Sequence, residues 1–150
     1  MTLIRSLLHS TLLTALATPA LAALGGDVTT VPGEAARMKA AVHTAAAANY
    51  SVHEMTTPAG TVVREYAGPG GIVFAVSWNG PFNPNLEQLF GNYYQQYLAA
   101  SAVYPSHNHR QQLINEPGLV VQRSGRMRAF SGRAWIPSML PQNVSVADIK

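Results

Sequence analysis

The sequence predicts an α+β domain in which an antiparallel sheet carries one amphipathic helix. Three observations predict it. Short β-rich runs alternate with strong turn signals between Tyr50 and Trp78. One stripe of large apolar residues at helical spacing follows, from Leu86 to Leu98. A further pair of β-rich runs, residues 119–123 and 126–135, then flanks Ser124-Gly125.

Residues 50–57 and 61–67 are rich in β-branched and aromatic side chains and are parted by Pro58-Ala59-Gly60, a hairpin connection. If Thr57 and Thr61 flank the turn, Glu54 lies opposite Arg64 and His53 opposite Glu65, both favourable cross-strand pairs. Gly68-Pro69-Gly70-Gly71 marks the next turn, and residues 72–78 form a third strand that completes an antiparallel meander. Strict alternation places Ile72, Phe74, Val76 and Trp78 on one face.

Two N-terminal caps compete for the helix: Asn83 with Pro84 at the first position, or Asn85 with Gln88 three residues on. Leu86, Leu89, Phe90, Tyr93, Tyr97 and Leu98 form its apolar stripe, expected to cover the face made by Ile72, Phe74, Val76 and Trp78. Tyr94 falls off the stripe and is expected to be exposed. Residues 104–110 read as a loop, and the tail from Ile136 to Lys150 closes with one helical turn near Val146–Ile149. The alanine-rich segment 34–48 has helical propensity but only Met38 and Val42 as larger apolar side chains. Residues 23–48 are therefore expected to be a linker or a loosely docked helix, with the domain proper at 49–150.

The N-terminus follows the logic of a cleavable secretory signal over residues 1–22. Arg5 supplies the charge, Leu7, Leu8, Leu12, Leu13 and Leu16 the apolar stretch, and Ala20-Leu21-Ala22 the small residues that a signal peptidase reads. Cleavage is expected between Ala22 and Ala23, releasing a periplasmic or extracellular protein that no longer spans a membrane. The chain has no cysteine, which excludes thiol catalysis, iron–sulfur clusters and cysteine zinc sites. Ten Lys and Arg stand against seven Asp and Glu in the full chain. Removing Arg5 leaves nine against seven, a net charge of +2 that is too slight to imply nucleic acid as a partner.

Gly60–Tyr66 (GTVVREY), Gly71–Pro81 (GIVFAVSWNGP), Pro84–Tyr93 (PNLEQLFGNY), Gly118–Val121 (GLVV) and Arg128–Pro137 (RAFSGRAWIP) share one likeness. They resemble a bacterial family of exported proteins, the domain of unknown function numbered 2844 (DUF2844). Ala23-Leu24-Gly25-Gly26 extends the likeness over nearly all of the mature chain. The resemblance implies export and a single domain, and it implies no activity, cofactor or catalytic residue.

Among the residues themselves, Arg123, Arg126 and Arg128 stand out, because no acid occurs between Glu116 and Asp148. They suggest a surface for an anionic envelope component or an acidic protein, set against the plainer reading of a solvated hairpin tip. Across a two-residue Ser124-Gly125 turn, Arg123 would face Arg126, while alternation would set Arg133 apart from Arg126 and Arg128. His107 and His109 could place two imidazoles on one metal, but a closed site needs more ligands than the neighbourhood offers. No cofactor is expected. The carboxylates do not form a spaced acid–base pair in sequence, and Ser77 and Ser131 lack a nucleophile elbow. The sequence thus favours a small non-catalytic binding module of the cell envelope. The alternatives are a metal-assisted or hydrolytic enzyme using His107 and His109, and a structural part of an assembly or secretion system.

Overall fold

The computed structural model describes residues 23–104 and 110–150. The predicted signal segment and the His107/His109 pair lie outside the described residues. Seven strands form one antiparallel sheet: β1 (Ala41–Ala46), β2 (Ser51–Thr56), β3 (Val62–Ala67), β4 (Val73–Gly80), β5 (Gln111–Glu116), β6 (Leu119–Arg126) and β7 (Ala129–Trp135). Their spatial order is β1-β2-β3-β4-β7-β6-β5. Three helices lie on one face: α1 (Val31–Met38), α2 (Leu86–Phe90) and α3 (Tyr94–Val103). The other face is partly covered by the tail, with Ile149, Leu140, Val144 and Val146 packed on Tyr66, Phe74, Val120 and Trp135. The architecture is α+β, with three layers where two were expected.

The first hairpin forms in the expected register, with His53 opposite Glu65 and Glu54 opposite Arg64. Arg64 Nε donates to Glu54 Oε2 at 2.8 Å. His53 makes no bond to Glu65; its ring nitrogens instead meet Thr44 Oγ1 and Ser51 Oγ, each at 3.1 Å.

Four expectations are corrected. The segment before residue 49 is not a loose helix. Lys39 adopts a left-handed conformation (φ 51°) that ends α1 at Met38, and the chain returns as β1 against β2. Leu24, Val31 and Ala35 are buried, so this segment is part of the core. Second, Ile72, Phe74, Val76 and Trp78 do not share a face. The register of β4 against β3 skips Phe74 between the pairs Tyr66/Ala75 and Ala67/Val73. This bulge turns Phe74 to the tail side and leaves Val73, Val76 and Trp78 under the helices, while Ile72 is exposed.

Third, the single expected helix is broken at Gly91, whose backbone (φ 49°, ψ −120°) suits glycine. A Cβ there would also stand 2.6 Å from that of Ala23. The break re-aims α3, so Leu98 is exposed while Tyr94 stacks on Tyr97 with ring centroids 6.1 Å apart. Asn85 is the cap of α2, its side chain accepting from Gln88 N–H at 3.1 Å. Asn85→Ala should cost about 1 kcal/mol of stability, readable by denaturant unfolding. Fourth, the last hairpin turns at Met127-Arg128, where Arg128 is left-handed (φ 60°), and β6 runs straight through Ser124-Gly125. Strand β5 pairs with β6 in a stretch where no strand was predicted.

Candidate functional site

Opposed residues of neighbouring strands point to the same face, so the register sorts the basic residues. Arg123 opposes Gly132, which opposes Trp78, and all three point to the helix side. There Arg123 donates to Tyr97 Oη at 2.6 Å. Arg126 opposes Ala129 on the tail side, the face that also carries Ser131 and Arg133. Arg128 occupies the turn and is exposed. The three arginines singled out in the sequence therefore do not form one cluster. Arg126 sits on the same face as Arg133, contrary to the expected separation. The reason is the three-residue displacement of the turn from Ser124-Gly125 to Met127-Arg128, which changes every cross-strand partner.

The tail covers the sheet only in part. Three donors converge on the Lys150 carbonyl oxygen: Ser77 Oγ at 2.6 Å, Tyr66 Oη at 2.8 Å and an Arg64 nitrogen at 3.3 Å. Arg133 donates through Nη1 to the carbonyls of Val146 (2.9 Å) and Ile149 (3.1 Å) and through Nε to Gln122 Oε1 (2.9 Å). Its guanidinium also lies 5.7 Å from the centre of the Trp135 ring. These bonds fix the tail along one line, and the sheet beyond that line is left open.

A groove of about 650 Å³ lies there. Asn79 from β4, Ser131 and Arg133 from β7, and Gln122 and Ser124 from β6 face it. Gln111 and Leu113 from β5 form its far wall, and Ile149 and Lys150 its near wall. The hydroxyls of Ser124 and Ser131 meet at 2.9 Å across the floor. Amides, hydroxyls and cations are present, and among the described residues no side-chain carboxylate or imidazole lines the groove. Such a surface offers hydrogen bonds in both directions and favours negative over positive charge. A smaller pocket of about 50 Å³ opens on the helix side of the same strands, with Asn83, Arg110 and Arg123 on its walls.

The strongest titratable pair lies elsewhere. Glu34 on α1 and Glu65 on β3 are 1% and 0% exposed, and they meet in the core between helix and sheet. Among the described residues no donor stands in good hydrogen-bond geometry to any of their four carboxyl oxygens, although the two carboxyls and the Gln88 amide lie close together. Burial pushes Glu65 up to about 10, and the Glu34 charge beside it adds to the effect. Burial also raises Glu34, to about 6, against the opposing influence of Glu65 as a donor, the Gln88 amide and, more weakly, Arg37. Two carboxyls so placed share one proton at neutral pH. Sequence reasoning assigned Glu65 to His53 and Glu34 to a linker. The alternation Val63-Glu65-Ala67 was the available signal, because it puts Glu65 on the inward face. The pair is sealed from solvent, so it cannot exchange protons directly with a bound ligand in this conformation.

Among the described residues, no group of three or more His, Asp or Glu side chains could hold a metal ion. No helix among them is long and apolar enough to cross a membrane. The family model "Protein of unknown function (DUF2844)" matches residues 20–149. The chain belongs to this family. No curated protein and no solved structure matches it.

Proposed function

We propose that this DUF2844 protein is an exported, non-catalytic binding module whose ligand is a polar or anionic component of the cell envelope, held in the tail-side groove. The observation that carries this reading is the composition of the groove: amides, hydroxyls and cations around about 650 Å³, with no side chain among the described lining residues that exchanges a proton near neutral pH. The acids that could do such chemistry, Glu34 and Glu65, are buried on the opposite side of the sheet. Export rests on the charged start, apolar stretch and Ala20-Leu21-Ala22 of the N-terminus.

The test is native mass spectrometry of the protein from its producing cell, followed by titration with neutral and phosphorylated oligosaccharides. A polar adduct, or binding of the phosphorylated series, is the expected result. Ser124→Glu puts a carboxylate on the exposed floor and should weaken an anionic ligand by about tenfold without loss of folding. Absence of any adduct together with no binding of either series would overturn the reading.

A further inference from the structure

Strand β1 is anomalous. All six of its residues, Ala41–Ala46, are exposed, so neither the helices nor the tail covers either of its faces. It forms one end of the sheet, and among the described residues only β2 is paired with it. Its sequence, AVHTAA, contains no Lys, Asp, Glu, Arg or Pro, and its register against β2 runs without a bulge. Those are the devices by which edge strands are ordinarily protected from pairing with another chain. This edge has none of them.

The hydrogen-bond phase of β1 is fixed by its turn. Ala47 N–H donates to the Tyr50 carbonyl at 2.8 Å, and alternation from that bond directs the main-chain groups of Ala45, His43 and Ala41 toward β2. The next strand pair agrees, because Thr57 N–H donates to the Thr61 carbonyl at 2.9 Å on the opposite edge of β2. The N–H and C=O groups of Val42, Thr44 and Ala46 therefore point outward. Residues hydrogen-bonded across an antiparallel seam share this outward direction. A two-fold axis at Thr44 then pairs Thr44 with Thr44 of a second copy, and Val42 with Ala46, so every outward group is matched.

We infer that β1 is the seam of a homodimer, joined antiparallel through Thr44 into a continuous sheet of two copies. A second copy is favoured over a foreign strand for two reasons. The seam has small uncharged side chains, and none of its residues lines either cavity described above, whereas pockets at alternate positions are the feature by which a sheet edge selects a particular peptide. The two-fold arrangement is self-complementary and closed, and it juxtaposes Thr with Thr and Val with Ala on one face.

The test uses the absence of cysteine in this chain. In the proposed seam the two Thr44 Cα atoms stand about 5.5 Å apart, within disulfide reach. Under mild oxidation Thr44→Cys should cross-link most of the protein as a dimer, while Ala41→Cys, at the far end of the strand, should not. Thr44→Pro removes an outward N–H and leaves the β1–β2 ladder intact, so light scattering should read a monomer where the parent is a dimer. Val42→Lys provides the same reading if the proline variant misfolds. A monomeric parent, together with a Thr44→Cys variant that does not cross-link, would overturn the inference. So would a dimer that survives both substitutions, or a β1 edge found occupied by another polypeptide.

Discussion

The midpoint of thermal unfolding should fall by about 10 °C as pH is raised from about 5 to about 8, and Glu65→Gln should remove most of that fall. The folded chain holds the protons of Glu34 and Glu65 to about pH 6 and about pH 10, against an ordinary value of 4.5 for each. Above 4.5 the folded state therefore binds more protons than the unfolded state, so stability declines as pH rises. This contribution is fully present below 4.5 and is lost as pH climbs through the two folded values. Each pH unit of the window costs at most about 1.4 kcal/mol for one retained proton. His53 acts in the opposite sense, because partial burial lowers its value from 6.5 and favours folding as pH rises through that window. It is one partly exposed group against two buried ones, so the carboxyl pair sets the net slope. Gln at position 65 keeps the volume, removes one ionisation and offers Glu34 an amide donor, which should raise stability at about pH 8 by roughly 1–3 kcal/mol. Glu87→Gln, an exposed change on α2, should leave the slope as it is. A parent with no pH slope in this window would refute the shared proton.

What was legible in the sequence was local. The first hairpin could be read because its turn residues and its Glu54/Arg64 pair demand the same register, and the structure has that register. The Asn85 cap could be read, as one of two, from its spacing to Gln88. Strand β1 could not be read, since AVHTAA has neither alternation nor bulk, and its strand form depends on pairing with β2. The last turn was misplaced because Ser-Gly is the stronger local signal, whereas the pairing of β6 with β7 holds Arg128 left-handed three residues on. The bulge at Phe74 reverses the facing of Phe74 with no glycine or proline adjoining it to announce it. The groove was invisible for a related reason. It exists because Arg133, Tyr66 and Ser77 hold the tail along one line, and no local pattern encodes where a tail will stop.

Gly132→Ala should destabilise the protein by about 3 kcal/mol, more than an ordinary single-methyl change in a core. Gly132 opposes Trp78 across the β4–β7 pair, and the indole lies over the position where a side chain would begin. A Cβ there would stand 2.6 Å from Trp78 Cε2 and 2.7 Å from Cη2, well inside contact distance. The ring has no room to retreat. Trp78 is 2% exposed, and Phe90 packs on it at a centroid distance of 6.0 Å, with Tyr97 beyond at 5.0 Å from Phe90. Relief therefore requires the strand pair to separate or α2 and α3 to lift. Either movement would disturb the Arg123–Tyr97 bond and the main-chain floor of the groove. Denaturant unfolding monitored by tryptophan fluorescence would measure the loss, and the double variant Gly132→Ala/Trp78→Leu should be more stable than additivity allows, because the second change removes the obstruction. A Gly132→Ala protein as stable as the parent would mean that Trp78 does not lie against β7 as described. Strictly additive losses in the double variant would mean that the two positions are not in contact.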